Sequence, residues 1–186
     1  MIKDKKVKRL RKNPLYGPDI TRLEGTVHPN IIKAMIVASE QFKKLGVRHM
    51  LIGGLALGAY GYIRATKDVD FLVGDEGFEH FAHGLIATAK GIPTTVNGIQ
   101  VDTLATFPGE DYIEPALDGT VEADGIPVAP VEVLIYLKLK AHRLRDISDI
   151  TQLLEAGVDP KPVMTYLKKN CPELVQKFTA IIQRMG

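Results

Sequence analysis

Met50-Leu51-Ile52-Gly53-Gly54-Leu55, followed by Arg64-Ala65-Thr66-Lys67-Asp68-Val69-Asp70-Phe71-Leu72-Val73, is the stretch whose reading decides the fold. Val47 to Ile52 is a short apolar run ending at glycine, the mark of a buried strand, and Gly53-Gly54 turns it into a short helical segment through Ala59. Asp68 to Val73 alternates and reads as a second strand. Successive side chains of a strand face opposite ways, so Asp68 and Asp70 project together while Val69, Phe71 and Val73 face the other side. Their Cα atoms then lie roughly 6–7 Å apart, which lets two carboxylates converge on one divalent ion or on a pair. Like charges side by side on an apolar strand cost stability unless a cation compensates them. Oxygen-rich sites of this kind select Mg2+ or Mn2+, and Mg2+ is commonly held by a few carboxylates plus substrate phosphates. The glycines supply the matching half: backbone able to approach a ligand closely, and helix N–H groups able to meet a phosphate. Arg64 and Lys67 flank the acidic strand and can neutralise charge on a transferred phosphoryl group, Arg64 in bidentate fashion.

Working outward, His28-Pro29 leads into a helix over Ile31–Leu45 closed by Gly46. On the other side, the pattern predicts a helix over Glu76–Lys90, a strand over Gly98–Ala105 and a hairpin over Val121–Val128 around Asp124-Gly125. From Val131 onward the periodicity is wholly helical, with segments at 131–144, 146–156, 160–169 and 172–184 punctuated by Gly157, Pro160, Pro162 and Pro172. The expected fold is α/β (α+β), a mixed sheet flanked by helices with a C-terminal helical extension. The organisation is a basic arm and irregular lead-in over 1–28, an α/β core over 29–130 and helices over 131–186. At 186 residues, with 45% hydrophobic and 25% charged, the chain is an ordinary globular one able to bury a real core.

Residues 1–12 hold seven Lys or Arg against one Asp, a net +6 in a chain of net charge +2, so the remainder carries −4. A basic arm on an acidic body can reach the phosphates of RNA, although a solvated tail has the same composition. The N-terminus has no apolar secretory signal, and the apolar run from Met50 to Ile63 is too short to span a bilayer, so a cytoplasmic location away from any membrane is expected. Cys171 is the single cysteine, unable to form an internal disulfide. His80 and His83, with Glu76 and Glu79, would share one side of the predicted helix, but charged residues on a helix are usually a solvated face and no His-Glu-x-x-His pattern is present. Ser39, Ser148 and Cys171 have no partner arrangement for nucleophilic catalysis in the sequence, and no P-loop pattern occurs.

Taken together, Ile52-Gly53-Gly54 and Arg64-Ala65-Thr66-Lys67-Asp68-Val69-Asp70-Phe71 resemble the signature of the nucleotidyltransferase superfamily, with its DNA polymerase beta-like fold. The likeness is greatest to minimal and abortive-infection (AbiEii-type) members of toxin systems. The resemblance implies a third carboxylate from a later strand, and Asp102 in Ile99-Gln100-Val101-Asp102-Thr103-Leu104 is the candidate. It implies an NTP as substrate, metal held by Asp68, Asp70 and Asp102, and nucleotide contacts from Gly53, Gly54, Arg64, Thr66 and Lys67. In the helical half, Leu137-Lys138-Leu139 and Arg145-Asp146-Ile147-Ser148-Asp149-Ile150 are similar to a lysine helix and an Arg-Asp-x-x-Asp helix start in those subfamilies, which adds Lys138 and Asp146. Independently of the family, Val131, Leu134, Ile135 and Lys138 fall on one helical stripe, so Lys138 continues an apolar face; a snorkelling lysine is the bland alternative. Asp146 at a helix start also has a plain capping role. The implied reaction moves an NMP to a hydroxyl on RNA, for example a tRNA end, or on a protein such as a cognate toxin or antitoxin. Many active members carry serine where this chain has Gly54, which opens a second reading: a catalytically silent binding module acting as antitoxin or assembly partner.

Overall fold

The computed structural model describes residues 17–80, 86–106 and 109–185; the basic arm and His83 lie outside them. Helix α1 (Pro29–Leu45) begins with proline at its first position, where no N–H is needed, and His28 caps it by accepting from the Asn30 N–H at 3.2 Å. Gly46, at φ 68°, closes it in the left-handed conformation. One face of α1, Ile31, Ala34, Met35, Ala38 and Phe42, is buried. The lead-in before it is less irregular than its composition suggests: Ile20–Leu23 forms a 3-10 turn, and Ile20, Leu23 and Val27 join the core.

Strand β1 (His49–Leu51), helix α2 (Gly53–Ala59) and strand β2 (Val69–Val73) follow as the sequence predicts, with β2 starting one residue later than expected, so that Asp68 occupies the bend before it. Beyond β2 the described residues of the expected helix over Glu76–Lys90 are not α-helical. The segment is a hairpin of β3 (Phe78–His80) and β4 (Ile86–Thr88), in register Phe78↔Thr88, Glu79↔Ala87 and His80↔Ile86. Gly77 and Gly84 would both have fallen inside the helix, where each costs about 1 kcal/mol against alanine. Gly77 is moreover packed so tightly that a Cβ there would lie 2.4 Å from Val73 Cγ1. The residues proposed to share a helix face separate accordingly. Glu76 binds Arg48, Glu79 accepts from the Lys90 N–H, and His80 pairs with Asp75 at 2.7 Å.

Strands β5 (Thr95–Val96) and β6 (Ile99–Ala105) form a hairpin whose turn residues Asn97 and Gly98 both have positive φ. The short helix α3 (Glu114–Asp118) precedes the expected hairpin, β7 (Val121–Ala123) and β8 (Ile126–Val128), turning at Asp124 and Gly125, again both at positive φ. Two-residue turns of this type match the twist of the strands they join. The six-stranded sheet has the order β5-β6-β2-β1-β8-β7 and is mixed: β6 and β2 are parallel, β2 and β1 antiparallel, β1 and β8 parallel. The chain is therefore a mixed α/β protein with helices flanking a mixed sheet.

Phe71 packs edge-on against Phe42 of α1, with ring centroids 5.2 Å apart, so by alternation Asp70 points to the other face of the sheet. There lie α2 and the helices α4 (Val131–Ala141), α5 (Leu144–Glu155), α6 (Pro160–Asn170) and α7 (Val175–Met185), the last preceded by a 3-10 turn at Pro172–Leu174. Helix α4 ends three residues earlier than its periodicity suggests because His142 adopts φ 52°, and that sharp turn brings the start of α5 back beside Lys138. One buried cluster runs from Ile20 through both sheet and helices to Ile181. Among the described residues no helix is long and apolar enough to cross a membrane.

Candidate active site

Parallel pairing of β2 with β6 sets Asp70 directly beside Asp102, on the face turned away from α1. Asp68 joins them from the preceding bend, and all three line one cleft of about 820 Å³. Its opposite wall comes from α4 and the start of α5, with Lys138, Arg143, Arg145 and Asp146, while Gly53, Arg64, Thr66 and Lys67 complete it from the α/β half. Residues as far apart in sequence as Gly53 and Asp146 thus meet because the helical half folds back over the acidic face of the sheet.

Gly53 is fixed by its neighbour. It sits at φ 65°, and a Cβ at this position would stand 1.9 Å from Asp70 Oδ2. Only glycine leaves that oxygen its place. Gly54 does not line the cleft; it is buried, turned toward the side chains of Thr66 and Arg64. The two glycines predicted to cradle phosphate thus divide, one facing the cleft and one packed beneath it.

Burial, then repulsion from Asp68 and Asp102, pushes the Asp70 carboxyl up to about 6, and Lys138 and Arg64 offset this only in part. A hard divalent cation between the carboxylates would remove that repulsion, so the donor set fits Mg2+ or Mn2+ chemically. The carboxylates are not drawn into a finished shell: among the described residues no three His, Cys, Asp or Glu side chains stand at metal-ligand spacing. One oxygen of Asp68 accepts from the Thr66 hydroxyl at 2.8 Å, and one of Asp102 accepts from the Gln100 amide at 2.7 Å.

The cationic wall is held from behind. Lys138 Nζ donates to Asp149 Oδ2 at 2.6 Å and to Asp146 Oδ1 at 3.0 Å, and both carboxylates are buried. Arg64 Nε lies 3.2 Å from Asp149 Oδ1, an ionic contact in which neither atom makes a hydrogen bond. Asp146 accepts from the Arg143 side chain at 2.7 Å and from its backbone N–H at 3.2 Å, so it caps α5 and pairs with Lys138 at once. Burial works against its charge, but the hydrogen bonds from Arg143 and Lys138 outweigh it and hold the carboxyl down at about 2. Arg143 and Lys140 are the site-region residues that motif reading did not name, while Arg145 and Asp149 stood in the Arg-Asp-x-x-Asp match without being given a role. For Asp149 the signal was available, since it follows Asp146 by three positions and therefore shares its helix face. Lys140 also faces the cleft and pairs with Glu110, a buried carboxylate that accepts from the Tyr136 hydroxyl at 2.6 Å.

Away from the cleft, one expectation changes. Ser39, without a partner in the sequence, hydrogen-bonds His49 Nε2 at 2.8 Å. His49 Nδ1 donates to the Val47 carbonyl at 3.0 Å, leaving Nε2 to accept from the serine. Burial holds the imidazole below its usual pKa, and both side chains are sealed from solvent, so the pair is a neutral core contact with no access to a substrate. Cys171 is buried and its thiol is pushed up by burial, the environment of an inert cysteine.

No family model matches the chain, and no curated protein matches it. Among solved structures it is similar to an antigenic nucleotidyltransferase-like protein from Paracoccidioides brasiliensis, at 19% identity and a TM-score of 0.45, over 82% of this chain and 91% of that one.

Proposed function

We propose that this chain is a metal-dependent nucleotidyltransferase that moves an NMP from an NTP to an acceptor hydroxyl. The observation that carries this reading is the convergence, in one cleft, of three aspartates from β2, β6 and the bend before β2 with Arg64 and Lys138, which are braced by Asp146 and Asp149. An anionic polyphosphate needs the cations, and a hydroxyl that must lose a proton needs the carboxylates.

In this mechanism Asp68, Asp70 and Asp102 hold Mg2+ or Mn2+. The cation would supply charge stabilisation for the attacking and leaving oxygens of an in-line displacement at the α-phosphorus. Lys138 and Arg64 bind the triphosphate and spread its charge, and their buried carboxylate partners keep them in place between turnovers. The absence of a side chain at Gly53 leaves room for Asp70 and for backbone to approach the phosphates. Asp102 accepts the proton of the acceptor hydroxyl as the hydroxyl oxygen bonds to the α-phosphorus, while the bond from that phosphorus to the β-phosphate oxygen breaks and pyrophosphate leaves. By composition the arm over residues 1–12 favours RNA as the acceptor, with a protein hydroxyl of a toxin–antitoxin partner as the other candidate.

The test is incubation with each α-labelled NTP and Mg2+ or Mn2+, with total RNA or total protein as acceptor, beside an Asp68→Asn/Asp70→Asn control. Label transferred only by the unmodified chain supports the reading and names the acceptor class. Metal-dependent NTP binding without transfer would favour the second reading, a silent binding module working as an antitoxin or assembly partner. Its specific support is the open spacing of the three carboxylates.

A further inference from the structure

Of the three carboxylates, Asp70 and Asp102 sit on strands paired with each other, whereas Asp68 occupies the bend before β2. A strand ladder fixes the backbone beneath the first two. The third has a freer backbone, and its aim must come from elsewhere. The contact that supplies it is Thr66: the hydroxyl lies 2.8 Å from Asp68 Oδ1 and 3.3 Å from the Asp68 carbonyl oxygen. It has a single proton to donate, and the carboxylate is both the nearer and the more strongly attracting acceptor.

The place of that hydroxyl is created by Gly54. A Cβ at position 54 would stand 3.1 Å from both Thr66 Cβ and Thr66 Oγ1, and 3.4 Å from Arg64 Nη1. A Cβ at these distances would press on the threonine and require it to shift by a few tenths of an ångström, so the glycine leaves its hydroxyl uncrowded. Gly54 is an ordinary helical residue with negative φ, so no backbone conformation demands glycine there; the close threonine favours it.

We propose that Thr66 is a positioning residue, whose hydroxyl occupies the space left open by Gly54 and fixes the Asp68 carboxylate so that its second oxygen is free to meet the cation. This rests on the metal-dependent reading of the cleft. Oxygen Oδ1 is committed to the hydroxyl, Oδ2 is left to the site, and β-branching restricts Thr66 to few rotamers, so the restraint is a stiff one.

The experiment is titration of the full chain with Mn2+ alone, followed by the loss of the free-ion signal in electron paramagnetic resonance, without NTP or acceptor. Thr66→Val, which keeps the shape and removes the hydroxyl, should weaken Mn2+ binding by about 10- to 100-fold, as loss of an outer partner of a metal ligand typically does. Thr66→Ser should restore most of it. Circular dichroism and thermal melts check that each variant is folded. Unchanged Mn2+ affinity in a folded Thr66→Val chain, or a Thr66→Ser chain no better than Thr66→Val, would overturn the proposal. The Asp68→Asn/Asp70→Asn chain separates the two levels: if it binds Mn2+ as well as the parent, or if the parent binds none, the metal site itself is wrong and the role of Thr66 falls with it. If it loses binding while Thr66→Val keeps it, only the role of Thr66 fails.

Discussion

At the scale of single residues, the site is set by close exclusions between neighbours. Gly53→Ala places a methyl group where Asp70 Oδ2 now stands, in a backbone conformation L-residues avoid. Asp70 must move, and both thermal stability and Mn2+ affinity should drop; a chain that melts and binds metal normally would show that the carboxylate has room the geometry denies it. Asp70 itself gives a pH-dependent prediction for the metal-free protein. Its carboxyl lies at about 6 when folded, above the unfolded value, so the folded state holds the proton over a range where the unfolded state has released it. Below about pH 4 both states are protonated and nothing is lost; between about 4 and 6 the penalty grows; above that it is complete, at most about 3 kcal/mol for a shift of roughly two units. Asp70→Asn should therefore abolish nucleotidyl transfer and yet raise the melting temperature in EDTA at pH 7.5, with the gain vanishing near pH 4. A variant that melts lower than the parent at pH 7.5 would contradict the assigned repulsion.

At the scale of elements, the turn at His142 matters most, because it sets the start of α5 against the side of α4 and so brings Asp146 and Asp149 under Lys138. Removing the lysine leaves two buried carboxylates with less compensation. Lys138→Met should cost about 3–5 kcal/mol in urea denaturation, the range for breaking a buried pair from one side. Lys138→Met/Asp149→Asn should recover part of it, since the orphaned charge goes too. Additive losses in the two changes would show that the pair is not coupled. The hairpin β3–β4 teaches a different lesson. Gly77, whose lack of a side chain lets the chain lie against Val73, leads here into a strand where local periodicity had suggested a helix.

At the scale of the whole molecule, the acidic face of the sheet and the cationic helices are one structure. Leu134 and Ile135 of α4 are buried in the same cluster as Leu72 of β2, which shares the face of Asp70, and Arg64 is tied to Asp149 across the two parts. A chain ended at residue 130 should thus expose this apolar face, bind a hydrophobic dye such as ANS and lose its cooperative melt. A cooperative, dye-free transition in that fragment would show that the sheet stabilises itself.

The sequence alone determined the strands around Gly53 and Asp70, the first helix, the Asp124-Gly125 hairpin and the helical run after Val131, because each rests on a local pattern: period, cap or turn residue. It paired Asp68 with Asp70 by alternation along one strand, but the strand begins at Val69, and Asp68 reaches the cleft from the bend before it. Local rules could not say that β6 lies parallel beside β2, which is what puts Asp102 next to Asp70. Nor could they say that Gly54 makes room for Thr66, or that Asp149 rather than solvent receives Lys138 and Arg64. These depend on which surfaces meet when the core closes. Strand order and side-chain competition for one space are properties of the packed chain, and only the tertiary structure decides them.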